Sequence, residues 1–389
     1  MKLAHLADPH LGFRQYHRQT AAGLNQREAD VAEAFRRAID GVIAEAPDAV
    51  VIAGDLFHAV RPTNKAIVFA FRQLQRLVAA LPGAPVVLVA GNHDTPRSSE
   101  TGSILRLFAD IGIAVAVDRA ERFEFPERSL SILAVPHPAL ETAPRPALEP
   151  LGGARHQVLV LHGEAQGLFP HHSAVLEHGG AVVTPEEARP DAWSYTAWGH
   201  YHVQRPVGPR AWYAGALDYC STDIWSERAE ERSRGLAGKG WLLVDLETGV
   251  VSPRPVAPVR AVLDLPRVAG EGLGPAELGA KLAEAIAAVP GGLADKVVRL
   301  VVDDVPRHVA RELDHARLRE WRAAALHFQL DLRRPGERRR DAVAGEPGRR
   351  RTLPELLRAH LAARPLPAEL DRERFVALGT GALDAVLQG

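Results

Sequence analysis

The stretch Pro85-Val86-Val87-Leu88-Val89-Ala90-Gly91-Asn92-His93-Asp94 decides how this chain is read. Its apolar, valine-rich first part describes a short strand buried on both faces. Gly91 then turns the chain, and three polar side chains arrive together. In open α/β sheets, chemistry collects outside the carboxyl ends of the strands. Asn-His-Asp is also a good turn sequence. The triplet gains weight only if other strands end in the same manner.

Four others do. Residues 2–7 (Lys-Leu-Ala-His-Leu-Ala) end in Asp8-Pro9-His10, and residues 49–53 (Ala-Val-Val-Ile-Ala) end in Gly54-Asp55-Leu56-Phe57-His58. Residues 157–161 (Gln-Val-Leu-Val-Leu) end in His162-Gly163, and residues 194–198 (Ser-Tyr-Thr-Ala-Trp) end in Gly199-His200-Tyr201-His202. A helix over 27–46, with Val31, Ala34, Phe35, Ile39 and Ile43 on one stripe, separates the first two strands. A second over 63–81 precedes the opening strand. Strand–helix–strand–helix–strand is the pattern of a parallel sheet with crossover helices.

After a helix over 102–111, short strands dominate: 113–117, 122–125, 130–135, 211–214 and 240–245. Arg254-Pro255-Val256 reads as a boundary. From 257 to 334 the pattern is a small βαβαβ unit: strand 260–264, helix 275–289, strand 297–303, helix 306–324, strand 326–332. Residues 335–352 form an arginine-rich linker broken by proline and glycine. Two short helices follow, 353–363 and 368–387.

The bulk numbers narrow the class. A chain of 389 residues has room for two or three domains. A hydrophobic share of 46% and a net charge of -1 describe an ordinary soluble protein with no global basic signature. One cysteine, Cys220, excludes a disulfide framework and a cysteine-rich zinc site. No charged-then-apolar leader and no apolar run of membrane length is visible, so the expected location is cytoplasmic.

Side by side at a sheet edge, Asp8, His10, Asp55, Asn92, His162, His200 and His202 offer carboxylate, amide and imidazole donors for two divalent ions. Oxygen and nitrogen donors without thiolate suit Mn, Fe, Zn or Co better than Ca or Mg. Two ions ~3.5–4 Å apart clamp the attacking and leaving oxygens of a phosphoryl group. Asp55, on the central strand, is the expected bridge. One ion is assigned to Asp8, His10, Asp55 and His202, the other to Asp55, Asn92, His162 and His200. On a locally extended path, His200 and His202 would point the same way. His93 remains as a non-ligand imidazole, with the role of general acid at the leaving oxygen and Asp94 as its orienter. His58 is a second candidate at the rim.

His5-Leu6-Ala7-Asp8-Pro9-His10-Leu11-Gly12, Ala53-Gly54-Asp55-Leu56-Phe57-His58, Gly91-Asn92-His93-Asp94 and Gly199-His200-Tyr201-His202 resemble the calcineurin-like metallophosphoesterases. Within them, the spelling resembles the SbcD/Mre-eleven branch of DNA double-strand-break repair nucleases. The motif-bearing likeness covers about residues 1–225. It implies an α/β fold: a β-sandwich flanked by helices over 1–255, a small α/β capping domain over 257–334 and a helical pair over 353–389. It also implies a Mn(II)-dependent DNA exonuclease and endonuclease. The family works as a homodimer with an SbcC-type ATPase, which the helical pair would dock. The dimer would form through the helices over 63–81 and 102–111, where Ile104, Leu105, Leu107, Phe108 and Ile111 cover more than one stripe. Arg14, His17, Arg18 and Arg61 flank the metal motifs and are the expected DNA contacts. The alternative is a phosphatase or small-molecule phosphodiesterase on the same fold, since fold does not fix substrate. Protein phosphatases of the superfamily follow the bridging Asp with Asp-Arg-Gly. Here the chain reads Asp55-Leu56-Phe57.

Overall fold

The computed structural model describes residues 1–96, 102–168, 180–236, 238–335, 357–358, 360–362 and 371–388. Strands β1 (Lys2–Leu6), β2 (Ala49–Ile52), β3 (Val86–Val89) and β4 (Ala114–Ala116) lie parallel in that order. A second sheet is built on β5 (Glu121–Phe125), β6 (Leu130–Val135), β7 (His156–His162) and β10 (Tyr195–Gly199). Strands β6, β7 and β10 are parallel, and β5 pairs β6 antiparallel. β11 (Arg205–Gly208) and β12 (Ala211–Tyr213) complete its far edge. β13 (Gly240–Asp245) returns antiparallel to β1, and β14 (Val251–Pro255) closes the first sheet. The small ribbon β8 (Glu164–Ala165) and β9 (Val182–Val183) stands apart.

The two six-stranded sheets stack face to face. Val51, Val87 and Val89 of the first pack with Ile132, Val158 and Val160 of the second. The period of two then turns Val50, Ile52 and Leu88 outward. There α1 (Gln26–Glu45) and α2 (Asn64–Ala80) cover them with Phe35, Ile39, Leu74 and Leu77. A third layer holds Leu159, Leu161, Trp198 and Tyr213 on the outer face of the second sheet. This double burial explains the unbroken apolar runs. The architecture is a β-sandwich flanked by helices.

Short helices α3 (His137–Glu141) and α4 (Pro185–Ala188) border the second sheet, and α5 (Ile224–Ser233) follows β12. Sequence periodicity misses α5, because its segment is mostly polar. Asp223 starts it by accepting the Ser226 N–H, an N-cap. The segment over 104–111 is a 3-10 helix rather than an α-helix, started by Ser103 and ended by Gly112. It buries Leu105 and Phe108 and leaves Ile104 and Ile111 partly covered.

The small unit contains β15 (Val262–Asp264), β16 (Val268–Ala269), α6 (Pro275–Ala287), β17 (Val297–Asp303), α7 (Arg307–Arg311), α8 (His315–Ala324) and β18 (His327–Leu332). β17 pairs in parallel with β15, β16 and β18. The single helix expected over 306–324 is two. Asp314 accepts the N–H groups of Ala316 and Arg317 and restarts the helix. The unit has its own core around Leu278, Leu282, Leu300 and Phe328. It belongs to the same compact body, Met1–Arg333, as the sandwich. Tyr16 stacks on His327 with centroids 4.0 Å apart. Trp225 of α5 donates Nε1–H to Gln329 at 2.8 Å, under the Arg299 guanidinium.

Arg334–Gly389 forms a second body. Its helix α9 (Arg372–Gln388) meets Leu361 at Gly379, where a Cβ would overlap the leucine. The arginine linker and most of the first expected helix lie outside the described residues.

Trp225→Ala removes a large, nearly buried ring from the seat between sandwich and small unit. Large aromatic truncations in cores cost about 3–5 kcal/mol. The expected outcome is a loss of that order in urea denaturation. A loss below about 1 kcal/mol would show that this seat contributes little.

Candidate metal centre

The donor residues stand at the carboxyl ends of five parallel strands, and the loops after β1 and β2 are zipped together. Asp8 N–H donates to the Gly54 carbonyl at 3.1 Å, and His10 N–H to the Asp55 carbonyl at 2.9 Å. Leu11 N–H donates to Leu56, and His58 N–H returns to Leu11. Within this ladder Asp8, His10 and Asp55 sit at φ of 51°, 48° and 51°, and His200 at φ of 102°. Non-glycine residues avoid such backbone unless their surroundings over-determine it. Two glycines admit the crowding. A Cβ on Gly91 would overlap Asp55 Oδ1, and one on Gly54 would overlap the His162 ring.

The side chains converge in two groups around Asp55. On one side His10 Nε2 lies 3.0 Å from His202 Nε2 and 3.8 Å from Asp55 Oδ2. On the other, Asn92 Oδ1 lies 2.9 Å from His162 Nε2 and 3.2 Å from His200 Nδ1. His162 Nε2 is 3.3 Å from Asp55 Oδ2. Metal–nitrogen bonds of ~2.1 Å at right angles set neighbouring donors ~3 Å apart. Asp55 Oδ2 is buried and accepts no hydrogen bond among the described residues. The oxygen–nitrogen donor set therefore fits divalent ions. Asp8, with Asp55 and His162, forms one grouping of metal-capable atoms. Its carboxylate also accepts the His200 N–H at 3.0 Å. The left-handed turn at His200 breaks the extended path expected there: His200 faces Asn92, while His202 faces His10.

Burial drives the electrostatics. It pushes the Asp8 carboxyl up to about 6, against the pull of His162 and His202. Burial would also raise Asp55, but His162 and His10 outweigh it and hold it well below the carboxylate range. Burial opposes the charged form of His162, yet Asp55 and Asp8 overcome it and raise the ring to about 9.

His93 stands beside the donors, and its ring forms a further grouping of metal-capable atoms with His10 and His58. Its Nδ1 is 2.7 Å from the His58 carbonyl, and its N–H donates to Asp55 Oδ1 at 2.9 Å. Asp94, its expected orienter, is occupied by backbone donors. The Asp94 carboxylate accepts the backbone N–H groups of Leu56, Phe57 and Gly91 and pins two loops together. The orienter is the His58 carbonyl. The His58 ring lies against His93, and its Nδ1 is 3.3 Å from His10 Nδ1.

Of the expected DNA contacts, His17 and Arg61 are exposed. Arg14 is exposed and bonds Glu28 at 2.6 Å. Arg18 is engaged otherwise: it donates to the Ala323 and Ala325 carbonyls and ties the first loop to the small unit. Sequence reading misses Glu227 and Lys239, both buried beside His202. Glu227 Oε1 is 3.4 Å from His202 Nδ1, and Lys239 Nζ donates to the His202 carbonyl at 2.7 Å and to Glu227. Burial alone would raise the Glu227 carboxyl, but Lys239 holds it down at about 2. The available signal was Asp223 with Ser226, which marks a helix start but not what the helix buries.

His162 yields a pH prediction. Its pKa is raised in the metal-free fold, so its proton stabilises that fold fully below the ordinary value near 6.5. That contribution is lost as pH rises through about 9. A metal ion bound through His162 would have to expel this proton. Mn(II) titration at pH 7.5 in buffers of different ionisation enthalpy should report release of about one proton, fading above pH 9. No release at pH 7.5 would contradict the raised ring.

Residues 1–204 match the family model of the calcineurin-like phosphoesterases. The chain is 32% identical over 206 residues to a DNA double-strand break repair protein Mre11 from Sulfurisphaera tokodaii, covering 52% of this chain and 49% of that protein. It is 30% identical over 254 residues to Mre11 of Methanococcus maripaludis, covering 63% of each. It is 31% identical over 208 residues to Mre11 of Sulfolobus acidocaldarius, covering 53% of this chain and 50% of that one. The chain thus spans between about half and under two thirds of the length of these relatives. Every donor from Asp8 to His202 falls inside the matched residues and stands at a strand end of the two-sheet sandwich, and the chain belongs to the calcineurin-like phosphoesterase family.

Proposed function

We propose that the protein is a metal-dependent DNA nuclease of the SbcD/Mre11 type, acting on phosphodiester bonds with two divalent ions, Mn(II) foremost. The observation that carries this reading is the pair of donor groups on either side of the Asp55 carboxylate. The likeness to Mre11 DNA double-strand break repair proteins supports DNA as the substrate. Leu56 and Phe57 after the bridging carboxylate are fully buried core residues, where a phosphatase would carry Asp-Arg-Gly.

When bound, the ions supply Lewis acidity toward the phosphoryl oxygens and lower the pKa of water. The protein's own residues do the rest. Asp55 joins the two donor groups. The His58 carbonyl fixes the His93 Nδ1–H, which directs proton transfer to Nε2. His93 protonates the leaving oxygen, and His58 braces both His93 and His10. The small unit (257–334) is the cap that would face a long duplex, with Arg14, His17 and Arg61 on the loops beside the centre.

The same reading includes a homodimer and an ATPase partner of the SbcC kind. Val68 on α2 is 47% exposed, and Ile104 and Ile111 are only partly covered by this chain's core. That second apolar face fits a second copy. The segment 353–387 is the proposed ATPase dock.

The wild type and four variants test the proposal. Wild type should degrade linear DNA with Mn(II) and stop on chelation; turnover of only a phosphopeptide or a cyclic nucleotide would overturn the nuclease reading. His93→Asn should keep both ions and DNA affinity while cleavage falls about 10²–10⁴-fold. Asp55→Asn should lose ions and cleavage together. Metal loss in His93→Asn would make His93 a ligand. Leu107→Asp should yield monomers in sedimentation, and an unaltered dimer would place the interface elsewhere. Removal of 350–389 should abolish co-purification with the ATPase, and retained binding would move the dock.

A further inference from the structure

We propose that Glu227 is a positioning residue of the centre: its buried carboxylate, paired with Lys239, takes the Nδ1 proton of His202 and so presents His202 Nε2 to the ion shared with His10. This rests on the metal-centre reading above.

The geometry is asymmetric about the His202 ring. Nε2 faces inward, 3.0 Å from His10 Nε2. Nδ1 faces outward, 3.4 Å from Glu227 Oε1, and each of these two buried atoms has no hydrogen-bond partner among the described residues, so they are left to each other. A metal-ligating histidine commonly gives its second N–H to a carboxylate, which fixes the tautomer and raises the basicity of the ligating nitrogen. Lys239 grips the same residue from the backbone, through the His202 carbonyl. It also pairs with Glu227 and lies 3.2 Å from Glu231. Glu231 in turn accepts the Tyr219 hydroxyl.

A bare carboxylate so deeply buried would be costly, and removing one partner of a buried pair is strongly destabilising. Two cations face the two carboxylates: Lys239 sits between the glutamates, 4.7 Å from the Tyr219 ring centroid, and Arg228 lies 4.0 Å from Glu231. An apolar helix face would serve packing as well. What the charges add is a direction for one imidazole. The opposite donor group is built differently: His162 Nδ1 donates to the Ala53 carbonyl at 2.8 Å. A neutral carbonyl there and a carboxylate here give the two histidines different basicity, and so give the two ion positions different affinity.

The test is Mn(II) binding by calorimetry and by electron paramagnetic resonance on the full chain. Glu227→Gln should weaken one of two Mn(II) ions by about 10–100-fold and leave the other at wild-type affinity. Glu227→Asp should recover part of that loss. Glu227→Gln leaves Lys239 paired with Glu231 at 3.2 Å and bonded to the His202 carbonyl, so the single variant reads the lost carboxylate without stranding the buried ammonium. Melting in EDTA reads any purely structural effect. Two ions at wild-type affinity in the variants would overturn the positioning role. Equal weakening of both, in step with a lower melting temperature in EDTA, would overturn it in favour of packing. A wild type that binds no Mn(II) would instead overturn the metal-centre reading on which the proposal stands.

Discussion

The carboxylate of Asp55 is the constraint on which the centre depends. It is fully buried, ends the central strand β2, and faces imidazoles from two different sheets. An ionised carboxylate in such a place is sustained only by opposite charge or by strong donors. His162 and His10 supply the charge, and the His93 N–H supplies a hydrogen bond to Oδ1. The sandwich exists in a form that makes this meeting possible. β2 sits between β1 and β3 in one sheet, and β7 lies against β6 and β10 in the other. Their carboxyl ends open on the same side.

Much of this was legible in the chain. Apolar runs buried on both faces end abruptly in polar clusters, and the five clusters supply the side chains that meet around Asp55. Periodicity found α1 and α2 within a residue of each end. What was hidden depended on partners distant in sequence. Asp94 looks like an orienter because it follows His93, yet its carboxylate caps three backbone N–H groups, two of them from the loop after β2. The orienter, a backbone carbonyl at His58, has no residue type to betray it.

Glu227 shows the same limit from the other side. Residues 224–233 are polar on average, which at the level of composition describes an exposed segment. In the structure Ile224 and Trp225 turn to the small unit, while Glu227 and Glu231 turn inward to Lys239. Buried charge paired with buried charge leaves no hydrophobic period to find. Only the contact map distinguishes such a helix from a solvated one.

The zipped loops after β1 and β2 carry a consequence for how the centre is assembled. Functional loops are usually drawn from the least stable parts of a fold. Here the donors Asp8, His10 and Asp55 lie on backbone that continues the sheet's own hydrogen bonds past its end. Their left-handed conformations are set when the sandwich folds, not when a ligand arrives. The amides of these loops should therefore exchange with solvent as slowly as those of the core strands. Ion capture would then order no chain at these two loops, and its entropy there would be that of released water and protons.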